Sequence, residues 1–186
     1  SGLYPAELHT TYSATAFSEA LAACESRPTR TLRLLVNEEN SFKLSVAREI
    51  AASFSAAGID MTVTALPWAD YTVALAAGSF DLYYGEVRLT ADWNLAPLLA
   101  TGGRLNYGGW SDARCDQLLE AARSALDQKA ALSTLCRYLQ LQTPILPVCF
   151  KSVSVLYAAN TVSGLSPTAA EPFYELQDIT IQLRNG

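Results

Sequence analysis

The sequence predicts an α/β domain: an open, mostly parallel sheet flanked by helices. Three observations predict it. The short apolar run Leu32–Val36 is followed by apolar residues recurring every fourth position from Phe42 to Phe54, and then by an apolar–polar alternation from Ile59 to Leu66. That is the order strand, helix, strand, joined by links too short for anything but a crossover unit with parallel strands and a right-handed connection. The order then starts again, with a helix opened by Pro67 and a strand Phe80–Tyr84.

Each element has its own local reason. Ala16, Phe17, Ala20, Leu21 and Cys24 have helical spacing within Ala14–Cys24, and the Glu25–Thr29 stretch with Pro28 breaks it. Leu32–Val36 reads as a buried strand. Asn40 or Ser41 caps the next helix, whose apolar face is Phe42, Val46, Ile50 and Phe54 with Ala47, Ala51 and Ala57 beside it. Gly58 suits a left-handed C-terminal cap. Ile59, Met61, Val63 and Ala65 alternate with Asp60, Thr62 and Thr64, giving a strand with one wetter face. The helix Trp68–Ala77 ends at Gly78.

Residues 85–110 differ: Gly, aromatic and isolated charged residues follow one another without a period. A loop of that length in a compact domain is usually functional. It leaves the carboxyl end of the third strand, where open α/β sheets gather ligands. Beyond it, Ser111 or Asp112 caps a helix with Cys115, Leu118, Leu119, Ala122 and Leu126 on one face. A second helix, Asp127–Gln142, turns Ala131, Leu132, Leu135 and Leu139 inward and stops at Pro144. Ile145–Phe150 and Ser152–Tyr157 read as a strand pair or one bent strand, with Pro147 marking an edge or bulge. A last short strand is expected near Ile179–Ile181. With no linker and no further repeat, residues 1–186 read as a single domain.

Composition excludes several function classes. Of 186 residues 50% are hydrophobic and 17% charged, a globular composition. The net charge of −5 comes with scattered basic residues, which disfavours a nucleic-acid partner. No apolar run reaches the roughly 18 residues that span a bilayer. The opening SGLYPAELHT lacks the basic region and apolar stretch of a signal peptide.

A lone histidine, His9, removes most general-base and triad mechanisms. There is no GxSxG turn and no phosphate-loop or dinucleotide glycine spacing. Cys115, Cys136 and Cys149 fall at apolar positions and read as buried thiols, while Cys24 is left open to a disulfide. No pair has zinc spacing, so neither metal nor cofactor is expected. Asp112 and Asp116 read as a solvated face and a helix-dipole partner, not as an acid–base pair. The chain is expected not to be an enzyme.

The loop offers recognition instead. Asp92 beside Trp93, with Tyr107 and Trp110 nearby in sequence, sets a carboxylate among aromatic surfaces. Such a group in a dry cleft holds an ammonium by charge-assisted hydrogen bonds and cation–π attraction. The alternative is that both Trp residues anchor the loop and Asp92 closes a turn. Glu86 and Arg88 face the same cleft or pair with each other.

The order of several motifs resembles the second lobe of family 5 extracellular solute-binding proteins, the oligopeptide, dipeptide and nickel-binding group. They are AGIDMTVTALPW, then WADYTVALAAG with SFDLYYGE, then ADWNLAP at 91–97, NYGGWSDARCDQLLEAA at 106–122, TPILPVCF at 143–150 and VSGL at 162–165. The likeness runs from about residue 4 to residue 183.

It implies a periplasmic-binding-protein-like lobe of type II, one of two lobes that close on a solute, with the flanking lobe outside this stretch. It implies an extracytoplasmic receptor, tied to the membrane only through a lipid anchor and serving an ABC permease. The ligand is a small solute, a peptide first, whose N-terminal ammonium Asp92 would meet. Val87–Thr90 look like an insertion relative to the family, and Gly85-Glu86 stands where the family has Gly-Trp. The resemblance leaves open a solute-sensing module of a transcription regulator.

Overall fold

The computed structural model describes residues 13, 15–24, 26, 28–90, 92–149, 155–158, 160–168 and 171–182. The chain divides into two compact units. One holds residues up to Arg88 together with Asn94–Pro144, the other Leu89–Trp93 together with Ile145–Gly186.

The first unit is built on three parallel strands, β1 (Leu32–Asn37), β2 (Met61–Leu66) and β3 (Leu82–Tyr84), in the order β2-β1-β3. Leu34 is level with Val63 on one side and with Leu82 on the other. The central strand is therefore the first in sequence. It explains the burial of Leu34, Leu35, Val36 and Asn37, which have a helix over each face and a strand at each edge. Helix α1 (Ala16–Ala23) precedes the sheet and has no buried residue. Its Phe17 ring meets Phe54 at 5.3 Å.

Helix α2 (Ser41–Ala56) covers one face, where Leu34 and Val36 pack with Ala47, Ala51 and Met61. Helix α3 (Trp68–Ala76) covers the other, where Leu35 packs with Tyr71 and Leu75. Burying one such Leu contributes about 1.5–3 kcal/mol, so the alternating central strand secures both layers at once. The expected caps are present: Asn40 accepts from the Lys43 N–H, and Gly58 and Gly78 take φ of 81° and 63° after α2 and α3.

The face of α2 differs from the expected stripe. Phe42 is 51% exposed, while Lys43, Ala47 and Ala51 are buried. A strict four-residue step drifts by about 40° each time on a 3.6-residue helix, so Phe42 and Phe54 stand about 120° apart and cannot both face the sheet.

Residues 85–110 are not wholly irregular. A short helix α4 (Ala96–Leu99) buries Leu99, and it packs on α5 (Ala113–Ser124). Helix α5 in turn packs on α6 (Gln128–Gln142), with Cys115, Leu118 and Leu119 facing inward from one and Leu132, Leu135 and Leu139 from the other.

Asp112 caps α5 at the Cys115 N–H and accepts the Tyr138 hydroxyl at 2.9 Å; Asp116 accepts the Thr101 N–H at 2.8 Å. Both carboxylates are thus structural clasps rather than a bare solvated face. Leu126, expected inward, is fully exposed because α5 ends at Ser124 and Ala125 is already extended.

In the second unit, β4 (Val162–Ser163) pairs antiparallel with β5 (Thr180–Ile181), Val162 opposite Ile181. A one-turn 3-10 helix, Leu176–Asp178, precedes β5. Gly164 has φ of 77°, and a side chain there would strike the Asp178 carbonyl. Where strands were expected over Ile145–Phe150 and Ser152–Tyr157, the described residues, 145–149 and 155–158, have no regular structure, and 150–154 lie outside the described residues. Pro144 and Pro147 lack the N–H a ladder needs. Cys149, expected buried, is exposed for the same reason, and Cys136 is half-buried. All four cysteines are free thiols.

Candidate functional site

The connection from β1 reaches β2 on one side, and the next connection carries the chain past β1 to β3 on the other. The strand order reverses between β1 and β3. At such a switch point the loops leave the carboxyl ends in opposite directions and open a crevice. Here those loops are Asn37–Asn40 and the segment from Gly85 to Arg88.

Two polar pairs stand at this end, Asn37 with Glu39 and Lys43 with Glu86. Asn37 ends the central strand, is 7% exposed, and donates from Nδ2 to Glu39 Oε2 at 3.3 Å. Its Oδ1 is buried and meets no donor among the described residues. Glu39 accepts the Trp68 backbone N–H at 2.7 Å, which sets a carboxylate on the N-terminus of α3. That bond holds the Glu39 carboxyl below its ordinary range. Lys43, in the first turn of α2, is 8% exposed, and its Nζ lies 3.0 Å from Glu86 Oε2.

Aromatic surface borders them. Trp68 is 60% exposed and stacks on Tyr71 with centroids 5.7 Å apart. The Tyr71 hydroxyl donates to the Tyr84 carbonyl at 3.2 Å, and burial pushes its pKa up to about 12. Further back along the sheet, Phe80, before β3, Tyr83 and Tyr107 form an edge-on series, with centroids 5.1 Å and then 6.1 Å apart. Burial likewise raises the Tyr83 hydroxyl.

The residues singled out from sequence are therefore dispersed. Glu86 is at the switch point, paired with Lys43. Arg88 is exposed two residues further on. Tyr107 joins the aromatic series through Tyr83. Trp110 sits in a clasp where the Asn106 side chain accepts its N–H at 2.9 Å and donates to its carbonyl at 2.7 Å. Its indole N–H is buried and meets no acceptor among the described residues, and burial raises the nearby Cys115 thiol.

Asp92 and Trp93 belong to the second unit. Asp92 is exposed in a turn closed by the Trp93 N–H to the Thr90 carbonyl at 2.9 Å, and Trp93 takes φ of 56°. Asn37, Glu39, Lys43 and Trp68 were missed. The available signal was position: each lies within a few residues of the carboxyl end of β1 or β2.

Among the described residues no three His, Cys, Asp or Glu side chains gather as metal ligands, and no helix is long and apolar enough to cross a membrane.

This architecture is a periplasmic-binding-protein-like α/β fold, and solved binding proteins share it. The oligopeptide-binding protein AppA of Bacillus subtilis, in complex with a nonapeptide, superposes with a TM-score of 0.68 at 14% identity, over 97% of this chain and 40% of that one. The murein tripeptide binding protein MppA of Escherichia coli gives 0.59 at 20% identity, over 68% and 26%. NikZ of Campylobacter jejuni, in complex with Ni(L-His), gives 0.53 at 17% identity, over 61% and 25%.

The chain spans between a quarter and two fifths of these three proteins. No family model matches the sequence, and no curated protein does.

Proposed function

We propose that this chain is one lobe of an extracytoplasmic solute receptor that feeds an ABC permease, with a small solute, a peptide first, received at the carboxyl end of the β2-β1-β3 sheet. The single observation that carries the reading is the reversal of strand order at β1 and β3. The unpartnered Asn37 Oδ1 and an exposed Trp68 lie at the same end of the sheet. No step of bond making is needed: the residues at this end can donate, accept and stack, and none is arranged as a nucleophile with its base.

Asp92 is assigned to the peptide ammonium by family resemblance, and its exposure leaves the carboxylate accessible. A receptor with micromolar affinity gains about 8 kcal/mol from both lobes together, so one lobe alone retains binding on the order of millimolar or weaker. The test is a titration of the labelled chain with trialanine, read by amide resonances. Shifts confined to residues 37–41, 68–71 and 84–88 and to Asp92 are expected. Shifts elsewhere, or none at several millimolar peptide, remove the reading. In the receptor closed on a peptide, Asp92→Asn costs about 2–5 kcal/mol of binding, and an unchanged affinity would take Asp92 out of the site.

A further inference from the structure

Among the described residues, every buried one belongs to the first unit. From Ile145 to Gln182 none of those described is buried, and Leu146, Leu156, Phe173, Tyr174, Leu176 and Ile181 are exposed. Apolar surface left in water contributes nothing to holding a segment together. A stretch this short has no core of its own to replace it.

Hydrogen bonds nevertheless give one part of it a definite shape. The Thr168 N–H and hydroxyl both donate to the Glu171 carbonyl, at 3.0 Å and 3.2 Å, and the Glu171 N–H donates to the Thr168 hydroxyl at 2.9 Å. The Tyr174 N–H also donates to the Glu171 carbonyl, and the Ile179 N–H to the Leu176 carbonyl just before β5. Glu175 takes φ of 55°, a left-handed conformation that residues with a side chain rarely adopt. The loop is thus shaped by its backbone, while Phe173 and Leu176 stand 62% and 63% exposed on it, with Tyr174 beside them. Aromatic anchors presented on a preformed loop are the groups that contribute most to an interface.

We infer that the loop Glu171–Leu176 is a docking surface for the flanking lobe of the same receptor, with Phe173, Tyr174 and Leu176 entering an apolar recess on that lobe. The inference rests on the reading of this chain as one lobe. Two observations name the occupant. A binding protein with this fold continues well beyond the stretch that this chain matches, so the covering surface comes from the same polypeptide. The charged side chains among the described residues of 145–182 are Glu171, Glu175 and Asp178, all acidic, and the first two flank the aromatic pair. The recess that fits is therefore apolar with Lys or Arg at its rim. A second copy of this chain, docked by the same patch about a two-fold axis, would set carboxylates against carboxylates.

The experiment compares hydroxyl-radical oxidation, mapped by mass spectrometry at matched radical dose, in this chain alone and in the whole two-lobed receptor without solute. Phe173, Tyr174 and Leu176 are expected to be oxidised readily in the chain alone and to lose that oxidation in the receptor. Equal oxidation in both samples would overturn the inference. Protection that grows in the chain alone as its concentration rises, with a dimer in sedimentation, would overturn it in favour of a second copy.

Phe173→Ser combined with Leu176→Ser should leave the amide spectrum of the first unit unchanged and lower the urea midpoint of the receptor. An unchanged midpoint would count against the docking surface. A receptor that protects the loop but binds no solute would remove the solute-binding reading alone. One that binds peptide with the loop still oxidised would remove this inference alone.

Discussion

The two ends of the three-stranded sheet carry charge in opposite manners. At the amino end, Asp81 accepts two bonds from the Arg30 guanidinium and one from the Arg33 N–H at 2.8 Å, and Arg30 holds its carboxyl down to about 2. Both Asp81 oxygens are used. At the carboxyl end, Asn37 Oδ1 has no donor and Lys43 is held by one carboxylate. One end closes the sheet, and the other leaves hydrogen-bonding capacity for something else. Proteins tolerate such incomplete sets mainly where binding completes them.

The largest effect is expected at the strand both ends share. Leu35 is 1% exposed between α3 and the sheet, so Leu35→Ala should lower stability by about 2–5 kcal/mol in urea titrations followed by tryptophan fluorescence. Resonances at both ends should shift together. A loss confined to one end would mean that the strand does not couple them.

A sharper test separates the ends by acid. Asp81 has a folded pKa of about 2 against an ordinary 3.8. Its contribution is complete above 3.8 and is lost as pH falls towards 2, because the unfolded chain then binds the proton first. Asp81→Asn should therefore flatten the fall in urea midpoint across that window. A midpoint–pH curve identical to that of the parent would show that the amino-end clasp adds nothing.

The smallest effect is expected at Asn37. Asn37→Val removes an acceptor that has no donor, so stability should stay within about 1 kcal/mol of the parent, or rise, despite the loss of a buried hydrogen bond to Glu39. A loss above about 3 kcal/mol, measured in the same urea titration, would show that the carboxyl end is built for stability as the amino end is.

Much of this fold was legible residue by residue. The strand at Met61–Leu66, the caps at Asn40 and Asp112, each one of two residues the sequence offered, and the glycine ends at Gly58 and Gly78 are local signals. The site was less legible. Glu86 was singled out, but its partner Lys43 sits beside an apolar stripe whose drift around the helix hid which side faces inward. The unformed strand from Ile145 shows the converse: an apolar run has the composition of a strand, and its prolines deny the ladder that would make it one.

The succession of elements in the first unit, α4 excepted, was written in the sequence, because periodicity, caps and breakers act over a few neighbouring residues. Only the tertiary structure decided that β3 docks beside β1 and not beside β2. That one choice creates the switch point and brings together Lys43 with Glu86 and Arg30 with Asp81. Which strand is neighbour to which depends on how two helices cover the two faces of a shared core. It is a property of packing between distant segments, and the pattern within each segment does not carry it.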